Sequence, residues 1–134
     1  MNAELVAQVA GGLQLLQLPG MVVGQKLLGW RADLTKLAAV NRGLVLAMAL
    51  GIVAYVVGTG ILALAAPGAL VGSELGRLLC VLQGVAWTLR VSLQRWMIGP
   101  VWPAHARWLH RVLSCIYGSL ALIYLCLVGV ASAG

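Results

Sequence analysis

Residues 43–66 read GLVLAMALGIVAYVVGTGILALAA, 24 residues without a charge between Arg42 and the pair Pro67-Gly68. At about 1.5 Å per residue such a helix crosses a hydrocarbon core of roughly 30 Å. It is therefore read as a transmembrane helix, and the remaining segments as helices packed around it.

Composition supports the same class. Of the 134 residues 62% are apolar and 9% charged, against about 25% charged in soluble domains. Nine basic and three acidic side chains cannot cover a soluble fold of this size. The expectation is one domain over residues 1–134, all-α: a polytopic membrane protein with four transmembrane helices in a bundle, at about 5–25, 43–66, 71–93 and 110–132.

A net charge of +6 invites a nucleic-acid reading. The basic residues instead sit mainly in two short connections between apolar runs, as they do when they set membrane orientation. No nucleic-acid partner is expected. Lys26, Arg31, Lys36 and Arg42 lie between the first two spans; Arg95, Arg107 and Arg111 lie between the last two, with Arg90 close by. The opposite side carries only Arg77. The positive-inside rule places both connections in the cytoplasm and both termini outside, in the cell inner membrane.

The first span, 5–25, is interrupted by Gln8, Gln14, Gln17 and Gln25 and contains Pro19. Proline removes a backbone donor and predicts a kink near residues 15–19. The glutamine amides should face other helices, where partners exist; a bent helix lying in the interface is the alternative. Met1 to Ala10 lacks the basic n-region of a cleavable signal peptide. A short surface helix is expected at residues 33–40, with Asp33 near its N-terminus.

On the second span Ala47, Gly51, Ala54 and Gly58 recur at spacings of four, three and four and share one face. Small residues there let another backbone approach closely, although chance recurrence is possible in so Ala- and Gly-rich a chain. Ser114, Gly118 and Ala121 form a similar face on the last span, with Tyr117 and Tyr124 beside it. That span ends close to the last residue, Gly134.

Residues 69–76 read as a short turn on the far side, with Glu74 and Arg77 at its end, and residues 78–89 are charge-free but too short to cross alone. Extension to 71–93 requires Arg77 to snorkel and Arg90 to be tolerated. Gln83, Trp87, Arg90 and Gln94 then share one helical face, the most polar surface of the apolar chain. An ionisable residue within a span is a functional-site hypothesis; the plainer reading has Arg90 at the headgroups as an anchor. Gly99-Pro100 and Pro103 break the stretch from Arg95 to Trp108. Trp30, Trp96, Trp102 and Trp108 read as interface anchors in an aromatic belt, with a ligand-binding cage as the sharper alternative.

Catalytic chemistry is hard to place. His105 and His110 lie in a connection or a first turn, so no haem pair across the bilayer is expected. Cys80, Cys115 and Cys126 have neither metal spacing nor a disulfide framework; buried free thiols are the default. No nucleophile sits beside an evident base, no phosphate loop is present, and an intramembrane Asp, Glu or His for proton coupling is lacking. No cofactor and no metal are expected.

The run Leu28-Gly29-Trp30, the Val40-Asn41-Arg42 that opens a span, and Trp87-x-x-Arg90-x-x-x-Gln94 together resemble a group of small bacterial four-helix integral membrane proteins of unassigned function. The resemblance covers most of the chain and implies the four-helix architecture. It also implies a histidine about seven residues after the Asn-Arg pair, where Met48 stands here. Any metal or haem role resting on that histidine is therefore not expected.

Two functions remain. The first is a non-catalytic membrane subunit or scaffold that packs against other membrane proteins or itself. The second is binding or transport of a lipophilic or anionic molecule, a quinone or lipid, at Gln83, Trp87, Arg90 and Gln94, with Gln14 and Gln17 as partners. A lipid-modifying enzyme has no supporting residue set.

Overall fold

The computed structural model describes residues 2–131. The chain is all-helical, with no strand among the described residues. Helix α1 spans Ala3–Leu27, α2 Trp30–Lys36, α3 Ala39–Ala65, α4 Pro67–Gly72, α5 Glu74–Leu93 and α6 Arg107–Ala131. A π turn at Gln94–Ile98 and two 3₁₀ turns, Gly99–Val101 and Ala104–Ala106, join α5 to α6. Three stretches, Ala3–Leu27, Ala39–Ala65 and Ala104–Val130, are long and apolar enough to cross a membrane. That supports a transmembrane protein.

The segment between them departs from the continuous 71–93 helix anticipated above. It breaks at Ser73, whose backbone is extended and whose hydroxyl accepts from the Gly76 N–H at 2.9 Å. A serine N-cap followed by Glu74 favours a new helix start here, so α5 begins at Glu74 and α4 forms a separate turn. Gly76 makes the turn possible: a Cβ on it would lie 2.2 Å from the Leu70 carbonyl oxygen. With Glu74, Arg77, Gln83 and Arg90 in its 20 residues, α5 falls outside the three spanning stretches.

Other boundaries shift by a few residues. The surface helix α2 starts at Trp30, three residues earlier than expected, because Gly29 adopts a left-handed turn at φ 65° and ends α1. Asp33 sits in its first turn and pairs with Lys36 at 2.8 Å. Helix α3 begins at Ala39 rather than 43, taking Asn41 and Arg42 into its first turns. Helix α1 runs uninterrupted through Pro19. The expected final limit at residue 132 lies outside the described residues.

Packing centres on α6, whose buried residues Leu109, Leu113, Tyr117, Leu120, Tyr124 and Leu127 repeat every three or four positions. This stripe meets α5, through Cys80, Gln83, Gly84 and Trp87, and α1. At Gly84 a Cβ would come within 2.8 Å of Leu125 Cδ2, so the two helices pack closely there. Helix α3 stands apart. It packs on α1 and, at its end, on α4, and only Val56, Gly60 and Ala63 of its 27 residues are buried.

The α1–α3 crossing is close. A Cβ on Gly11 would lie 2.7 Å from the Gly60 carbonyl oxygen. Polar groups fasten the same crossing: Gln14 Nε2 donates to the Thr59 hydroxyl and, at 3.3 Å, to the Val56 carbonyl. Tyr124 of α6 donates to Gln14 Oε1 at 2.7 Å, and Thr59 donates onward to the Tyr55 carbonyl at 2.6 Å. Three helices thus meet at one buried amide. Where lipid is as apolar as leucine, such hydrogen bonds and close packing hold helices together.

Candidate functional site

Gln83, Trp87 and Gln94 are buried in the seam between α5 and α6 and its continuation, and do not line the cleft beside Arg90. The amides of Gln83 and Gln94 and the Trp87 Nε1 have no hydrogen-bond partner. Arg90 alone of this group reaches an open surface. The polar face anticipated from Gln83 to Gln94 is therefore divided, three members facing protein and one facing a cleft.

Arg90 is placed by aromatic stacking. Trp87 stacks on Tyr117 with ring centroids 5.5 Å apart and planes 18° apart. One helical turn on, the Arg90 guanidinium lies 5.1 Å from the centre of the Tyr117 ring. Such cation–π contacts hold an arginine without using its in-plane N–H donors. Among the described residues no carboxylate pairs with Arg90, Lys36–Asp33 being the ion pair present.

The cleft that Arg90 of α5 and Tyr117 border holds about 300 Å³ and draws on six segments. Gly20, Met21, Gly24, Gln25 and Leu28 come from the second half of α1 and its end, Trp30 from α2, and Ala49, Ile52 and Val53 from α3. Ile98 and Trp102 come from the irregular connection, and Leu113 with Tyr117 from α6. It exists because α3 touches α1 at one end only. From Val56 to Ala63 the helices are in contact, while no α3 residue before Val56 is buried. Its walls bring the two basic connections to the same end of the molecule, since Trp30 belongs to one and Trp102 to the other.

Sequence reasoning missed this cleft. Of its lining, the sequence marks Arg90, Trp30 and Trp102 as site or anchor residues and names Gln25, Leu28 and Tyr117 for other reasons. No local motif could have shown the rest, because the lining is assembled from distant segments. The four tryptophans of the anticipated belt divide as well. Trp96 and Trp108 are 80% and 57% exposed, whereas Trp30 and Trp102 are half-buried at the cleft. Trp102 Nε1 donates to the Ala106 carbonyl at 2.7 Å and its ring packs against His110.

His110 Nε2 lies 3.0 Å from the Gln94 carbonyl oxygen, at the π turn. A shallow surface depression of about 540 Å³ runs beside it, bordered by Arg95, Arg111, Ser114 and Cys115. His105 is exposed. Among the described residues no three His, Cys, Asp or Glu side chains come together as metal ligands. All three cysteines are free; Cys80 is buried as anticipated, but Cys115 and Cys126 are exposed on α6, turned away from its packed stripe.

Of the glutamines of α1, Gln14 and Gln17 are buried between helices, and Gln8 and Gln25 are exposed. Gln17 Nε2 has no partner, and Gln25 borders the cleft. Ala47, Gly51, Ala54 and Gly58 are exposed, with nothing within 4 Å of a Cβ placed on Gly51 or Gly58. On α6, Ser114 and Gly118 are half-buried and Ala121 is buried. No family model, curated protein or solved structure matches the chain.

Proposed function

We propose that the chain is a non-catalytic integral membrane subunit that docks through α3 on helices of other membrane proteins or of a second copy. In this reading it is a four-span bundle in the cell inner membrane, with α5 as the third span and both termini outside. The two basic connections, which share one end, face the cytoplasm. The likeness to small four-helix bacterial membrane proteins is part of the same proposal.

The observation that carries it is the half-used surface of α3. At 100° per residue, Val56, Gly60 and Ala63 lie about 180° from Ala47, Gly51, Ala54 and Gly58. One small-residue face receives α1 at backbone distance; the other is built the same way and exposed. Small residues there suit close approach by another helix better than they suit lipid chains. The test is purification in mild detergent with crosslinking, comparing the wild type with Gly51→Leu and Gly58→Leu. A defined complex that the leucine variants dissolve supports the reading; a monomer without crosslinks rejects it.

A second reading is favoured by the cleft itself: binding of a lipophilic or anionic molecule beside Arg90. An unpaired guanidinium bordering an apolar, aromatic-lined cavity has the form of a site for an amphiphile.

A further inference from the structure

We infer that the cleft between α1, α3 and α6 holds one anionic phospholipid of the surrounding bilayer, its phosphate on Arg90 and an acyl chain against α3. This inference rests on the second reading above and gives it an occupant.

Charge selects the head. Arg90 brings a guanidinium whose face is taken by Tyr117 and whose in-plane donors stay free for oxygen acceptors. No carboxylate among the described residues neutralises it. Arg90 is the basic residue lining the cleft, while the connections at this end carry Lys26, Arg31, Lys36, Arg42, Arg95, Arg107 and Arg111 against Asp33, and positive charge on the cytoplasmic side favours anionic headgroups.

Shape selects the tail. Ala49, Ile52 and Val53 of α3 face Gly20, Met21 and Leu113 across the cleft, a strip without a charged group. At 100° per residue the three α3 residues share the inward side with Val56, Gly60 and Ala63. The groove therefore continues the α1–α3 seam outward from its contact point. Because α3 leaves α1 along this half, the groove opens sideways to the bilayer, where a lipid enters without leaving its leaflet. Trp30 and Trp102 close its end at interfacial depth.

Those two tryptophans supply the readout, with Trp87, buried against Tyr117, as a contribution common to every variant. In a Trp96→Phe/Trp108→Phe background, which removes the two outward-facing indoles, the protein is reconstituted into phosphatidylcholine vesicles. Brominated phosphatidylglycerol or brominated phosphatidylcholine is then titrated in, and quenching of tryptophan fluorescence gives their relative affinity. One cation near the surface gives about a fivefold preference for the anionic lipid. Arg90→Gln should remove that preference, Arg90→Lys should keep most of it, and Ala49→Phe should reduce quenching by both lipids. Far-UV circular dichroism and elution volume confirm that each variant is folded.

Equal quenching by the two lipids in the wild-type background overturns the inference, as does a preference unchanged in Arg90→Gln. Organic extraction of the purified protein separates this failure from that of the parent reading. A quinone or other non-lipid molecule recovered in stoichiometric amount, and lost in Arg90→Gln, refutes the phospholipid while ligand binding stands. Equal quenching with no molecule recovered rejects both.

Discussion

The α1–α3 crossing makes a demanding prediction for Gly11→Ala. The new Cβ would sit 2.7 Å from the Gly60 carbonyl oxygen and 3.0 Å from the Ala63 Cβ. Carbon–oxygen contacts between backbones settle near 3.3 Å, so the helices must part by about 0.6 Å. Neither nearest neighbour can turn aside, one being backbone and the other a side chain without rotamers. Overpacking of this kind costs about 1–3 kcal/mol, and alanine's better helix propensity returns up to about 1 kcal/mol; Gly51→Ala shares that gain, so Gly11→Ala should fall about 1–3 kcal/mol below it. Gly60→Ala is the internal control: its Cβ meets the mobile end of Leu15, Cδ2 at 2.9 Å, which can move, so the variant should be close to neutral. Gly51→Ala meets nothing within 4 Å and should be neutral or slightly stabilising. Equilibrium unfolding by sodium dodecyl sulfate in mixed micelles ranks the three. Gly11→Ala as stable as Gly51→Ala would refute the close crossing.

Tyr124→Phe removes one donor from the buried Gln14 amide and should cost about 0.6 kcal/mol, at most about 1.7, in the same assay; Gln14→Leu should cost more, since it also removes the bonds to Thr59 and Val56. A double-mutant cycle between Tyr124→Phe and Gln14→Leu should show coupling of the same sign, and strict additivity would count against the network. Membrane sidedness is checked in a cysteine-free background. Thr35→Cys and Ala104→Cys should react with an impermeant maleimide from the cytoplasmic face and Gly72→Cys from the outer face, and labelling of all three from one face would reject the proposed topology.

Much of the helical plan was legible because lipid-crossing length is a local property. The charge-free runs ending at Arg42, Pro67 and Arg111 mark α3 and α6 to within a few residues, and Gly99-Pro100 and Pro103 mark the irregular connection. The break at Ser73 was also written in the sequence. Ser73-Glu74 is an N-cap followed by an acid in the first turn, but its signal was outweighed by the need for length in a span. Which small-residue face meets α1 was not legible, because α3 carries two of them on opposite sides. The choice is made at long range, by Gln14 reaching Thr59 and Val56 and by Gly11 lying on Gly60. Arg90 stood out as the charge within a polar face, yet its neighbours Gln83, Trp87 and Gln94 turn into the α5–α6 seam. Helical spacing shows that residues share a face. It does not show where protein ends and cleft begins along it.

The two faces of α3 make docking and lipid binding separable by experiment. Ala49, Ile52 and Val53 border the cleft on the inward side; Ala47, Gly51, Ala54 and Gly58 lie about 180° away. No residue belongs to both sets, although Ala49 and Gly51 are only two positions apart. Gly51→Leu adds bulk where a Cβ has no neighbour within 4 Å, and so should disturb a partner helix without entering the cleft. Ala49→Phe adds bulk inside the cleft and leaves the outer stripe as it is. The paired result is therefore specific: Gly51→Leu should dissolve the complex while the preference for brominated phosphatidylglycerol persists, and Ala49→Phe should leave the complex intact while quenching by both brominated lipids falls. Loss of lipid preference in Gly51→Leu, with helix content and elution volume unchanged, would contradict the assignment of the two faces to two partners.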